Sequence, residues 1–230
     1  MKYIIYSFIL CLMFSYFAEG RGIGTSSSSA LKIGVGGRSV GMGEAATAAV
    51  DDVSSIFWNP AGLVLINDPQ FSAMHIEWFS DIRYEWISFA QPIASRVTIA
   101  GDISYLYMGA IPRTVESPTE GYEQDGTFSP VDIAGRIAFA SKIFKNILIG
   151  GSVQRLQSRI GFNEVTKERI NDRIAQSIAI DLGFIYDTPY IKGLSIAGCL
   201  QNLGNQTRAF FEEEEPMPSS INFGVAYKKI

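Results

Sequence analysis

Few residues of this chain could do chemistry, and their spacing limits what that chemistry could be. The single histidine, His75, stands two residues before Glu77, and isolated charges recur further along at Asp102, Asp132, Arg136 and Asp181. An imidazole beside a carboxylate can serve as a general base or begin a metal site. Either role needs further converging ligands or a nucleophile, and none stands near them in sequence. His75 therefore reads as an ordinary polar residue, with no metal and no catalytic set expected, and the chain is not read as an enzyme. Gly41-Met42-Gly43-Glu44-Ala45-Ala46 matches G-x-G-x-x-A and opens a helical stretch. A dinucleotide site also needs a buried strand before it and an acidic residue about 20 positions on, at a second strand end. Both are missing, so no cofactor is expected. Asn205-Gln206-Thr207 has the pattern of a glycosylation acceptor without any sign of eukaryotic secretion, and Glu212 to Glu215 read as a solvated loop.

The elements that hold these charges are strands. From Val97 to Ile111 the odd positions are Val97, Ile99, Gly101, Ile103, Tyr105, Tyr107, Gly109 and Ile111, while Thr98, Asp102 and Ser104 fall between them. Ile133, Ile137 and Phe139 likewise oppose Asp132, Ala134 and Arg136. Ile178, Ile180 and Leu182 oppose Ala179, Asp181 and Gly183, and Ile221, Phe223 and Val225 oppose Asn222 and Gly224. A period of two means strands with one apolar face. The spacing predicts strands over 70–79, 82–92, 96–111, 130–142, 147–162, 173–187, 194–208 and 219–229, with a bulge where the alternation slips at Gln154-Arg155. Short connections (Pro92–Arg96, Lys142–Asn146, Asp187–Gly193) alternate with longer polar ones (Pro112–Pro130, Glu164–Asp172, Phe210–Pro218). Strand length, and polar faces built of Ala, Ser and Gly with isolated charges, favour strands whose apolar face looks at lipid. Trp78, Trp86, Tyr105, Tyr107 and Tyr186 then mark interfacial girdles, and His75, Glu77, Asp102, Asp132, Arg136 and Asp181 line a lumen.

Ahead of the strands, glycines crowd the stretch from Gly24 to Gly43 and give way to the Ala-rich run Glu44–Val50. This predicts an irregular backbone feeding a short helix. Asp51, Asp52, Ser54 and Ser55 can cap a second turn, and Asn59-Pro60 ends it, leaving Trp58 at a sharp corner.

That stretch resembles the start of the PorV/PorQ-like and FadL/TodX-like outer-membrane proteins. The likeness rests on Leu31-Lys32-Ile33-Gly34-Val35-Gly36-Gly37-Arg38, Val40-Gly41-Met42-Gly43-Glu44-Ala45, Asp51-Asp52 and Trp58-Asn59-Pro60-Ala61-Gly62-Leu63, with Leu200-Gln201-Asn202-Leu203-Gly204 as a second patch. The resemblance implies an all-β fold: a transmembrane antiparallel β-barrel with an N-terminal helical plug. Gly34, Gly36, Gly37, Arg38, Gly41, Gly43, Glu44, Asp51, Asp52, Trp58, Asn59 and Pro60 would form that plug or hatch. An eight-stranded barrel is filled by its own side chains and has no room for a plug. About eight strands therefore suggest part of a larger barrel of about fourteen, cut short before its end, the alternative being a small barrel with the plug outside it. The implied function is a FadL-like channel for small hydrophobic molecules such as long-chain fatty acids. Alternatives are a PorV-like accessory binding secreted proteins at its external loops, or a structural outer-membrane protein.

Composition sets independent bounds. The 230 residues are 47% hydrophobic, and 19 basic against 23 acidic side chains give a net charge of -4. Without a concentrated basic face a nucleic-acid partner is excluded. Lys2, the apolar run Tyr3–Phe17 and Ala18-Glu19-Gly20 form an export signal, which predicts an outer-membrane address. Lipidation at Cys11 is the competing reading of that segment. The expected division is signal peptide 1–20, plug 21–68 and strands 69–230. Once the signal is removed Cys199 is the only cysteine, so no intramolecular disulfide can form.

Overall fold

The computed structural model describes residues 28–117, 121–159, 174–208 and 217–229. The signal segment with Cys11, the loop Glu164–Asp172 and the carboxylates Glu212–Glu215 lie outside the described residues.

Ten strands follow a short helical N-terminal segment: β1 (Gln70–Glu77), β2 (Ile82–Ala94), β3 (Val97–Met108), β4 (Ile111–Ser117), β5 (Gly121–Phe128), β6 (Val131–Phe144), β7 (Ile147–Arg159), β8 (Ile174–Asp187), β9 (Leu194–Arg208) and β10 (Ser220–Tyr227). Eight of them make one antiparallel sheet in the order β1-β2-β3-β6-β7-β8-β9-β10, and β4 and β5 form a separate two-stranded sheet. The strands stand where the two-residue period puts them, with one addition: the hairpin β4–β5 occupies the stretch expected to be an external loop.

The barrel expectation is corrected. A barrel needs its first and last strands to share a hydrogen-bonded ladder. Among the described residues β1 pairs with β2 alone and β10 with β9 alone, so the sheet is open at both edges. Two open antiparallel sheets with a few helical turns replace the closed transmembrane barrel. With closure go the lumen and the basis for a channel. Among the described residues no helix is long and apolar enough to cross a membrane.

Two features of the N-terminal segment also differ from expectation. The Ala-rich run forms turns, and the helix sits earlier, as α1 (Gly37–Gly41). Gly43 and Glu44 both have positive φ, at 66° and 65°, which a continuing right-handed helix cannot accommodate. The second turn forms as α2 (Ser55–Trp58), with Asp52 Oδ1 accepting from the Ser54 amide at 2.8 Å. Asn59, with φ −162°, ends it as Pro60 requires. A 3₁₀ turn over Pro60–Leu65 then leads to β1.

This segment covers one face of the large sheet. Val35, Val50, Val53, Ile56, Phe57, Trp58 and Leu63 pack with Tyr84 and Trp86 of β2 and with Ala90, Ala100, Ala138 and Ala140. Small side chains on the strands make room for the segment's large ones. The covered face of β7 and β8 goes further. A Cβ on Gly150 would stand 2.4 Å from the Pro60 carbonyl carbon, and one on Gly183 would stand 2.0 Å from Asn59 Oδ1. Glycine is therefore set at position 150 by the close approach of the Pro60 backbone and at position 183 by the Asn59 side chain.

A buried polar latch between the sheet and the N-terminal segment

The charges expected to share a lumen divide between two faces. Asp102, Asp132, Arg136 and Asp181 point to the face that the N-terminal segment covers. His75 and Glu77 do not: both are exposed on the opposite face, His75 Nδ1 2.7 Å from Glu85 and Glu77 3.5 Å from Arg83. Their reading as lumen-facing is corrected, because in β1 the positions turned to the core are Met74 and Ile76. Trp86 is also corrected. It is fully buried in that core instead of marking an interface, whereas Trp78 is exposed and Tyr105 stacks with Tyr107 at 5.0 Å.

On the covered face, Arg136 of β6 and Asp181 of β8 are 7% and 1% exposed and approach to 3.7 Å. A buried carboxylate is tolerable only when its lone pairs are filled. Ser152 donates to Asp181 Oδ2 at 2.6 Å and the Asn202 amide to Oδ1 at 2.7 Å. The second bond depends on a bulge in β9. Between the pairs Ile180–Leu203 and Leu182–Leu200 the register shifts, and Asn202 takes φ 55°, which turns its N–H onto the carboxylate. Gln154 joins the two halves: its Oε1 accepts from Arg136 Nε and Nη2, at 3.1 and 2.6 Å, and its Nε2 donates to Asn202 Oδ1 at 2.5 Å.

The same network grips the N-terminal segment. Helix α2 leaves its last carbonyls without intrahelical partners. Arg136 Nη1 donates to the Ile56 carbonyl at 2.9 Å, and its guanidinium lies 5.2 Å from the Phe57 ring centre. Gln201 of β9 donates to the Phe57 carbonyl at 2.6 Å. Asn59 donates to the Thr47 and Phe184 carbonyls, and Trp58 Nε1 to the Val35 carbonyl at 2.8 Å. The helix end is thus capped by side chains from β6 and β9, which fixes the segment at one depth and one rotation.

Burial also tunes the ionisable groups. Desolvation raises the Asp102 carboxyl above the usual carboxylate range, opposed by the Arg136 charge and a hydrogen bond from Trp86. Desolvation raises Asp132 too, against a bond from Ser158. The Cys199 thiol is pushed up to about 12, by burial first and then by the Asp181 charge, so it is not a nucleophile at neutral pH.

The chain belongs to the uncharacterised protein family UPF0164. That family's model matches residues 16–187, which contain α1, α2, the docking glycines and the Arg136–Asp181 pair. No curated protein matches the chain. The resemblance to FadL-like and PorV-like outer-membrane proteins is corrected by the fold: the open sheet removes the barrel it implied. The outer-membrane address, the lipid and hydrophobic-solute partners and the surface-exposed secretion loops rested on that resemblance and lose their support with it.

Of the residues expected in the plug, Trp58, Asn59 and Pro60 are buried at the latch, and Gly34 and Gly36 pack closely against Trp58 and Ser54. Gly37, Gly41 and Gly43 have open space around them. Arg38 pairs with Asp51 at 2.5 Å and stands 3.8 Å from Asp52, all three on the surface. Glu44 is exposed. Gln154, Gln201 and Asn202 were not foreseen as site residues. Their sequence signal was the break at Gln154-Arg155 and the adjacent polar pair Gln201-Asn202. The first is no bulge, since β7 keeps register there with both neighbours. Gln154 is buried in the latch, and Arg155 faces outward to Gln176 at 2.9 Å. Among the described residues no group of three His, Cys, Asp or Glu could hold a metal.

Proposed function

We propose that this chain is a non-catalytic assembly subunit, an interaction module whose uncovered sheet face is buried against another polypeptide. The observation that carries the reading is the inverted polarity of the large sheet. Arg136, Asp181 and Gln154 are inside, while Ile137 is 75% exposed, Phe223 71% and Phe71 68%. Ile87, Phe89, Ile103, Phe139, Val153, Ile180, Leu182 and Phe184 continue this apolar surface strand by strand. The largest apolar patch on an ordinary monomer covers about 300–600 Å². Here the exposed apolar residues continue across all eight strands of the large sheet, the kind of contiguous face that marks an interaction surface. The polar groups of the covered face bond to one another and to the backbone, as suits a structural latch more than a reaction centre.

The test is photocrosslinking in the cells that make the protein, with a benzophenone side chain at position 137 on the uncovered face or at 138 on the covered one. Position 137 should give a polypeptide adduct of one discrete mass, and position 138 should give none. Adducts to lipid alone, or no adduct at 137, would overturn the reading.

A further inference from the structure

We infer that copies of this chain join at their sheet edges, β1 of one pairing with β10 of the next. This edge contact goes beyond the assembly reading above, since it leaves the uncovered face free for the polypeptide that buries it.

Sheet edges are usually kept apart by charged side chains, proline, bulges or a covering segment. Edge β10 carries no charge, proline or bulge, and β1 carries only His75 and Glu77, towards its end. The ladders β1–β2 and β10–β9 run without a register shift, while shifts interrupt β2–β3, β6–β7 and β8–β9 in the interior. The strand Ser220–Tyr227 contains no charge and no proline. Each edge is eight residues long with the same alternation of half-covered and exposed positions. Four of the most exposed apolar side chains of the whole sheet, Phe71, Phe223, Val225 and Tyr227, stand on these two strands, where a neighbouring strand is missing.

Geometry fixes the direction of pairing. Eight antiparallel strands leave β1 and β10 running in opposite directions. A second copy that continues the sheet with its covered face on the same side must therefore pair antiparallel. Opposed residues share a face, so odd positions meet odd ones: with Ala73 opposite Val225, Phe71 meets Tyr227, His75 meets Phe223 and Glu77 meets Ile221. This arrangement brings the exposed Asp68, just before β1, beside the exposed Lys228-Lys229 that follow β10. Opposite charges thus meet at the end of the new ladder. Within one chain the two edges touch the N-terminal segment, not each other: the Val53 amide donates to Gln70 Oε1 at 2.9 Å, and Lys228 stands 3.9 Å from Asp51.

Chains carrying Ala73→Cys alone and Val225→Cys alone, both with Cys11→Ser and Cys199→Ser, are mixed and oxidised with glutathione disulfide. Directly opposed strand positions have Cα atoms about 4.5–5.5 Å apart, within disulfide reach. The inference expects a disulfide joining one chain of each kind, lost when Met74→Cys replaces Ala73→Cys, because position 74 faces the other side. Ala73 and Val225 are exposed, and far-ultraviolet circular dichroism checks that each variant retains its sheet. A disulfide that forms only within single chains carrying both cysteines would overturn the inference, since the edges would then meet inside one molecule. No mixed disulfide, with a discrete polypeptide adduct at position 137 still present, would overturn the edge pairing and leave the assembly reading standing. Failure of both would remove both.

Discussion

The two faces of the large sheet have exchanged the chemistry that burial usually assigns. On the face under the N-terminal segment, Arg136, Gln154, Asp181 and Asn202 are enclosed and bonded to one another. On the opposite face, Ile137, Val153, Ile180 and Leu203, from the same four strands, are exposed. A two-residue period alone cannot assign the inside, because it records only that the faces differ. What assigns it here is side-chain size. The covered face carries Ala, Ser and Gly at many of the positions where the segment presses close, and its one buried cation, Arg136, stands where the Ile56 carbonyl of α2 needs a donor. Covering thus depends on fit as well as polarity.

If that comparison is right, mutations should cost most on the polar face. Asp181→Ala would leave Arg136 buried without its counter-charge and the Asn202 amide and Ser152 hydroxyl without an acceptor. Breaking one partner of a buried ion pair costs about 3–5 kcal/mol, so a large drop in the denaturant midpoint is expected. Ile137→Ser, on the exposed face of the same sheet, should move the midpoint of the isolated chain by less than about 0.5 kcal/mol. Equal losses for the two would mean that the faces are not distinguished by burial.

A second contrast uses glycines alone. Gly150→Ala would push its methyl into the backbone of Pro60 and Ala61, and overpacking of this kind costs roughly 1–3 kcal/mol. Gly135→Ala, on the uncovered face, would meet nothing nearer than the Asp102 carbonyl at 3.9 Å and should be close to neutral. Thermal melting of the pair measures the difference. Trp58→Phe should cost less than Gly150→Ala, about 1 kcal/mol for the lost bond to the Val35 carbonyl, and fluorescence of the remaining tryptophans would report the unfolding.

Most of the sheet was legible in the sequence, since Ile-x-Ile-x patterns mark strands whatever covers them. The hairpin β4–β5 was not. Ile-Pro-Arg-Thr-Val-Glu-Ser and Gly-Tyr-Glu-Gln-Asp-Gly-Thr-Phe place proline, glycine and charges on both faces, so neither face stands out. Closure was not legible either, because alternation locates strands and is silent on whether the first pairs with the last. In β1 both faces carry apolar residues, Phe71 on one and Met74 and Ile76 on the other, which is why His75 and Glu77 were assigned to the wrong side. The latch was half legible. Arg136 and Asp181 stand out as lone charges on small-residue faces, whereas Asn202 works through a bulge-turned amide that no side-chain pattern encodes.

The smallest expected effect concerns pH and sharpens the comparison within the covered face itself. Asp102 lies where desolvation outweighs the pull of the Arg136 charge, so its carboxyl is raised in the folded state above its unfolded value. A carboxyl raised by folding binds its proton more readily when folded. Its contribution therefore favours the fold at low pH and weakens as pH climbs from the unfolded value through the folded one. Asp102→Asn resembles the protonated acid in shape and retains an acceptor for Trp86 Nε1, which now stands 3.2 Å from Asp102 Oδ2. The Asn variant should equal the wild type in acid and become the more stable of the two as pH rises through that window. Urea titrations at a series of pH values would trace the gap. A variant that is less stable at neutral pH would show that attraction to Arg136 outweighs the desolvation of Asp102, and that its charge belongs functionally with the Asp181 latch.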